Sequence, residues 1–361
     1  MTIDLGFAEH CESWRLESRF FPSKIGHRPS WLHLTNIPAE KDLLCEYCKE
    51  PCIFLCQVYA PYEENENAFH RTIFVFVCKK AECSRSNENG NLKVFRSQLA
   101  RVNEFYPAEP PVEQKDWETD IDVNRWSKTC VVCGILAPKL CSKCKRANYC
   151  CRAHQIFHWR HGHKESCNLS KNALQTNILL FPEYEIVMER EDAKDENDES
   201  DDMQEEEARE EEEVKKFDIM VQKGVAGTFH KEDVQTELFS MANPNEDEIF
   251  SKFRSTIDKY PNQILSYRYN RGGKILYISA ESKVGQIPKC PECNEERQFE
   301  FQIMPQLLNI LKLEDVFECI DWGILAIFTC TRSCTPTHGY SIEYIWKQDI
   351  VESNPDETSK E

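Results

Sequence analysis

Between Cys130 and Cys167 eight residues recur in pairs at metal-ligand spacing: Cys130-x2-Cys133, Cys141-x2-Cys144, Cys150-x3-His154 and His163-x3-Cys167. Two residues between cysteines let a tight turn aim both thiolates at one ion, and a spacing of four puts a further pair on one face of a helix. Eight ligands make two tetrahedral sites, and zinc is the default metal for mixed thiolate and imidazole donors. His158 and His161 compete as ligands, and Cys151 is a spare thiol beside one; the assignment above is favoured over any that uses those three.

The chain holds 19 cysteines, several of them in CxxC pairs with partners downstream, which argues for metal rather than disulfides in a reducing compartment. Two further sets lie near the ends. Cys45 and Cys48 precede a strand, a loop, a second apolar strand and then Cys78 and Cys83, while Cys290 and Cys293 precede the same sequence of features ending in Cys330 and Cys334. Each set would make an all-thiolate site if a hairpin brings its ends together. The parallel suggests duplicated β-rich halves, each with four cysteines at strand ends. Cys11, Cys52, Cys56 and Cys319 read as core residues rather than ligands.

Length allows two or three compact units: 361 residues with 40% hydrophobic content can bury a real core. No apolar run approaches the roughly 18 to 20 residues a membrane span needs, and Met1 to Phe7 lacks the charge and length of a secretory leader. A soluble, intracellular chain is expected. The net charge is −18, of which Glu189 to Glu213 supplies −13, sixteen acids against three basic residues. Such a run is a solubilising, disordered linker or a polyanion that neutralises a basic client.

Strands are expected over Ile53 to Tyr59 and Thr72 to Val77, around a polar loop at Tyr62 to Asn67. A linker follows around Pro107, Pro110 and Pro111 as far as Asp122. Beyond the acidic run, Asn243-Pro244 starts a helix whose apolar face carries Ile249, Phe250, Phe253 and Ile257 until Pro261 stops it. Gln263 to Tyr269 and Lys274 to Ser279 flank Asn270-Arg271-Gly272-Gly273, which reads as a hairpin turn. The last block predicts a strand over Arg297 to Met304, a helix near Gln306 to Leu311 and a strand over Ile324 to Thr329. The fold class is thus α+β and β-rich. Its divisions are an N-terminal half (1–110), linker (111–129), finger (130–167), connector (168–188), acidic segment (189–216), helical connector (217–260), C-terminal half (261–350) and polar tail (351–361).

The central array resembles the MYND family of double-zinc fingers, whose ions are bound in interleaved order. The resemblance implies one site of Cys130, Cys133, Cys150 and His154 and another of Cys141, Cys144, His163 and Cys167, with His154 where the family has cysteine. It also implies that Gln155 and Trp159, four apart on a helix, line a groove for proline-containing peptides; a tryptophan packing the finger's small core is the alternative. Seven Lys or Arg residues against Glu165 leave the finger basic by about four once two metal sites of charge −1 are counted. Direct nucleic-acid binding is nevertheless less expected than a solvated protein-interaction face.

Motifs outside the finger extend the likeness. Leu5-Gly-Phe-Ala-Glu, Phe21-Pro-Ser-Lys-Ile-Gly, Arg28-Pro-Ser-Trp-Leu, Gln57-Val-Tyr-Ala-Pro, Ala68-Phe-His-Arg, Met304-Pro-Gln-Leu-Leu and Ile320-Asp-Trp-Gly resemble the programmed cell death protein two family. The resemblance implies a MYND finger inserted between duplicated β-rich halves. It further implies a chaperone, cytoplasmic and nuclear, for one newly made basic protein of the small ribosomal subunit, S-two in eukaryotes. A nuclear adaptor that recruits co-repressors through the finger is the alternative. No GxGxxG, P-loop, GxSxG or HExxH motif is present, and closed four-ligand metal sites leave no open position for water, so no catalysis is expected.

Overall fold

The fold is taken from a computed structural model, which describes residues 3–167, 179–191, 244–267, 271–311 and 320–350. The acidic run from 192 onward, the tail from 351 and Cys319 lie outside the described residues.

Ten strands close into one antiparallel barrel. In chain order they are β1 (Asp4–Glu9), β2 (Lys24–Ile25), β3 (Ile53–Tyr59), β4 (His70–Val77) and β5 (Leu92–Leu99), then β8 (Tyr184–Arg190), β9 (Gln263–Tyr267), β10 (Arg297–Ile303), β11 (Ile324–Cys330) and β12 (Tyr340–Gln348). Between them the finger contributes a two-stranded ribbon of β6 (Lys139–Leu140) and β7 (Asn148–Tyr149). Around the barrel the order is β1-β8-β2-β3-β4-β5-β12-β11-β10-β9, and β9 pairs back onto β1. Closure removes the exposed edges that an open sheet of this size would present.

The two halves of the chain therefore share one barrel. β5 runs against β12 through Tyr340↔Ser97 to Glu343↔Val94. At the opposite seam β1 sits beside β8 and β9, and β8 beside β2. β1 thus lies between β8 and β9, and β8 lies between β1 and β2. The strand β8 falls in what the sequence reads as a connector and the start of the acidic segment; its apolar residues Tyr184, Ile186, Val187 and Met188 are few, are mixed with Glu185 and Glu189, and need partners from both ends of the chain.

Alternation along the strands separates two cores, since successive side chains point to opposite faces. Ile73, Val75 and Val77 of β4 join Leu92, Val94, Phe301, Leu325, Ile327 and Ile345 in the cluster that fills the barrel. Phe74 and Phe76, between them in sequence, join Trp31, Phe54, Phe95 and Tyr340 in a second cluster on the outside. The inward rows continue at one end into polar and charged groups: Arg71, Arg96, Thr329 and Glu343 follow the same alternation and are buried. Arg71 forks onto Glu300 at 2.7 and 2.8 Å, and Arg271 reaches the same carboxylate at 3.0 Å. Although burial alone would raise its pKa, these guanidiniums hold Glu300 down to about 2.

The expected strands at Ile53 to Tyr59 and Ile324 to Thr329 form, as do the helices at Pro244–Lys259 and Gln306–Ile310. The expected hairpin is not seen among the described residues, and Asn270 of its turn lies outside them. Gln263–Tyr267 is a strand, but Lys274 to Ser279 has no strand pairing. Its backbone is satisfied instead by two side-chain amides: Gln302 accepts from Leu276 N and Gln348 accepts from Ile278 N, while Gln348 Nε2 donates to Ser279 O and Glu281 O. This strap packs Ile275, Val284 and Ile287 over Phe299, Phe328 and Trp346 on the outside of the C-terminal half.

Candidate metal centres

Four groups of cysteine and histidine converge among the described residues, and their ligand atoms lie within 4.8 Å of one another in each. They are Cys45, Cys48, Cys78 and Cys83; Cys130, Cys133, Cys150 and His154; Cys141, Cys144, His163 and Cys167; and Cys290, Cys293, Cys330 and Cys334. Zinc–sulfur bonds of about 2.3 Å imply sulfur–sulfur edges near 3.8 Å in a tetrahedron. The edges match: Cys48 to Cys78 is 3.7 Å, Cys133 to Cys150 3.6 Å, Cys290 to Cys334 3.6 Å and Cys293 to Cys330 3.5 Å. All are far longer than the roughly 2 Å of a disulfide. The donor sets suit zinc.

The CxxC turns explain how short local sequences aim two sulfurs together. In each, the residue after the second cysteine has positive φ: Lys49 at 61°, Gly134 at 79°, Lys145 at 51° and Asn294 at 59°. From that conformation its N–H reaches back to the carbonyl of the first cysteine, at 3.0, 2.8, 2.9 and 2.8 Å respectively. Sequence spacing found the cysteines but missed this shared turn. Gly134 and Asn294 carried the signal, since those residue types favour the left-handed region, whereas Lys49 and Lys145 gave none.

Each set also holds one thiol toward its thiolate. Cys130 is lowered chiefly by hydrogen bonds from Cys133 and Cys150. In Cys45, Cys144 and Cys330 burial, which raises a thiol, is outweighed by backbone N–H groups of the residues that follow, and Cys144 reaches about 7. A bound divalent cation would supply the charge that ionises the remaining thiols.

In the finger, His154 turns Nδ1 toward Cys150 at 3.0 Å and Cys130 at 3.7 Å from the first turn of the helix Arg152–His158. His163 turns Nε2 toward Cys141 at 3.4 Å and Cys144 at 3.6 Å. Between them the helix breaks at His161 and Gly162, where Gly162 takes φ 122°. Only glycine adopts that conformation at little cost, and the break redirects the chain so that His163 faces the second group. The competing candidates fall elsewhere. His158 is buried against Tyr149 Oη at 2.8 Å and stacked on His163, His161 bonds Phe157 O at 2.7 Å, and Cys151 caps the helix by accepting from His154 N.

Gln155 and Trp159 are half-buried, with Ile156 exposed between them. Trp159 lies edge-on to His163 at 5.9 Å, so the tryptophan serves the finger's own packing while part of it stays open. Cys52 and Cys56 are core residues, and Cys11 is half-exposed.

The finger is not a loosely tethered insert. Trp31 Nε1 donates to Gly134 O at 2.8 Å, Arg28 donates to the carbonyls of Val131 and Val132, and Leu136 N donates to Pro38 O. Cys130, Val132, Cys133, Ile135 and Cys150 belong to the outer cluster built on Trp31 and Phe76. Arg28 and Trp31 thus join the finger to the barrel.

Comparison with known proteins matches three regions of this framework. Residues 2–113 match the family described as programmed cell death protein 2, N-terminal domain, residues 247–349 its C-terminal putative domain, and residues 130–167 the MYND finger. Over 97% of both chains the protein is 43% identical to "Programmed cell death protein 2" of Mus musculus. The chain belongs to the programmed cell death protein 2 family. A more distant relative, "Programmed cell death protein 2-like" of Homo sapiens, is 26% identical over 93% of this chain and 91% of its own. "Probable 20S rRNA accumulation protein 4" of Schizosaccharomyces pombe is 32% identical over 116 residues, 27% of this chain and 28% of its own. No solved structure matches. Although the family is described with separate N- and C-terminal domains, in this member both build one barrel.

Proposed function

We propose that this protein is a non-catalytic, dedicated chaperone for a newly made basic protein of the small ribosomal subunit, S-two in eukaryotes, and that it works in cytoplasm and nucleus to support small-subunit assembly. The observation that carries the reading is family membership together with a relative named for the accumulation of an rRNA. Charge supports it. A chain of net −18, with −13 concentrated between Glu189 and Glu213, suits a client whose basic surface awaits RNA.

In this reading each of the four groups holds one zinc, two of them in the finger, and every ion is structural. Zinc supplies a tetrahedral crosslink there, with no ligand position left for substrate. A CxxC turn ahead of β3 and of β10, with a second cysteine pair at the end of β4 (Cys78 and Cys83) and at the end of β11 (Cys330, its last residue, and Cys334), supports a duplication of β2-β3-β4-β5 as β9-β10-β11-β12. A duplicated barrel with rigid, metal-held ends gives the client a preformed surface, and the acidic run screens its charge.

Co-expression tests this. With the full chain the basic client is expected in the soluble fraction as a stoichiometric complex, and deletion of 192–213, which spares β8, is expected to return much of it to the pellet. A client equally soluble without the chain would overturn the proposal. The alternative, an adaptor working through the finger, is favoured by the part-exposed Gln155, Ile156 and Trp159. Under it Trp159→Ala abolishes capture of a proline-containing peptide with zinc content intact, whereas the chaperone reading leaves client solubility unchanged in that variant.

A further inference from the structure

The Cys290, Cys293, Cys330 and Cys334 group differs from its N-terminal counterpart in what surrounds it. Beside the N-terminal group Lys80 pairs with exposed Glu50 at the surface. Behind the C-terminal group lies a buried triad, Arg96–Glu343–Arg297, whose side chains are at most 4% exposed. Glu343 accepts from Arg96 Nε at 2.6 Å and from Arg297 Nε at 2.8 Å.

Every member of that triad also grips an arm of the thiol group. Arg297 Nη1 donates to Pro288 O at 2.6 Å and to Lys289 O at 2.9 Å, the residues that lead into Cys290. Glu343 Oε1 accepts from Cys330 N at 3.3 Å. Arg96 reaches Cys334 twice, with Nη1 on its carbonyl at 2.8 Å and Nη2 on its sulfur at 3.7 Å. Charge completes the picture. Two guanidiniums share one carboxylate, leaving one positive charge buried, and four thiolates around a divalent ion carry −2. An uncompensated buried cation is costly, and a thiolate cluster beside Arg96 offsets it.

We propose that Arg96, Glu343 and Arg297 are the positioning residues of the C-terminal zinc site, and that Arg96, which belongs to β5 of the other half, couples metal retention there to the β5–β12 seam. Outer partners that orient ligands typically change metal affinity by about ten- to a hundredfold when removed. Here they come from three strands, so the metal is held firmly only while the seam is closed.

The test rests on the reading that this group carries zinc, and it separates the two claims. Full-length zinc-loaded protein is exposed to a chelator and a maleimide, and alkylation of each cysteine is followed by peptide mapping. Glu343→Gln removes the shared charge. Arg96→Lys keeps a cation opposite Glu343 but cannot fork to Cys334, and so serves if the first variant folds poorly. Alkylation of Cys290, Cys293, Cys330 and Cys334 is expected to accelerate about tenfold or more, with Cys45, Cys48, Cys78 and Cys83 unchanged. Equal acceleration of both groups, or of neither, would overturn the positioning role. Wild-type protein whose C-terminal group is alkylated at once without chelator would instead refute the four-zinc reading.

Discussion

Gly134 concentrates three demands in one residue. It takes φ 79°, its carbonyl accepts from Trp31, and a Cβ added there would meet Arg28 Cβ at 2.9 Å. Gly134→Ala is therefore expected to destabilise by roughly 1–3 kcal/mol, read by denaturant titration, and to speed zinc loss from the Cys130 group. His70 offers a pH-dependent counterpart. It is stacked on Phe21 at 4.2 Å and bonded to Tyr59 Oη at 2.9 Å, with Tyr106, Phe69 and Arg101 nearby. Burial, and then the Arg101 charge, push it down to about 4 from the usual 6.5. The fold thus favours the neutral ring: its contribution is complete above pH 6.5 and is lost as pH falls toward 4. Thermal melts across that window should show a smaller fall for His70→Gln than for the parent chain, and identical slopes would refute the assignment.

At the scale of elements, legibility in the sequence followed locality. The strands β3, β4, β10 and β11 announced themselves as short apolar runs rich in β-branched and aromatic residues, each following a CxxC pair or leading into a cysteine. The elements that needed distant partners did not. β8 mixes a short apolar stretch with Glu185 and Glu189, and the neighbours β1 and β2 make it a strand. Lys274 to Ser279 misled in the opposite direction, since Ile275, Leu276, Tyr277 and Ile278 have strand composition, yet amides of Gln302 and Gln348 replace a partner strand. Nor did Arg96 advertise its role, beyond being a charge in the inward row of Leu92 and Val94. Gln348→Leu should leave Ile278 N and the carbonyls of Ser279 and Glu281 without these partners, at about 1–3 kcal/mol in total. Hydrogen exchange is expected to show protection lost over 276–281 while β11 keeps its own; unchanged protection of the strap would contradict the amide account.

Because both halves build one barrel, the whole molecule is expected to behave as one cooperative unit. Fragment 1–113 lacks β8 and β12, so β1, β2 and β5 all lose partners, and Arg71 loses Glu300. Breaking a buried pair by removing one member alone costs about 3–5 kcal/mol. That fragment is expected to be aggregated or unfolded on its own and to regain structure when residues 114–361 are co-expressed. A folded, monomeric N-terminal fragment would mean that the halves are independent domains. The cysteine groups were the most legible part of the molecule, because ligand spacing is written in short sequence. Closure through β5–β12 and β1–β8 spans the chain and could not be read from it.

We propose that this architecture receives one basic client as it is made. Affinity capture of the protein from cells with translation arrested, followed by sequencing of the co-purified messages, tests that directly. Strong enrichment of a single message, the one encoding the small-subunit protein S-two, is expected, and that enrichment is expected to be lost when nascent chains are released beforehand. Enrichment of many unrelated messages, or of none, would contradict it.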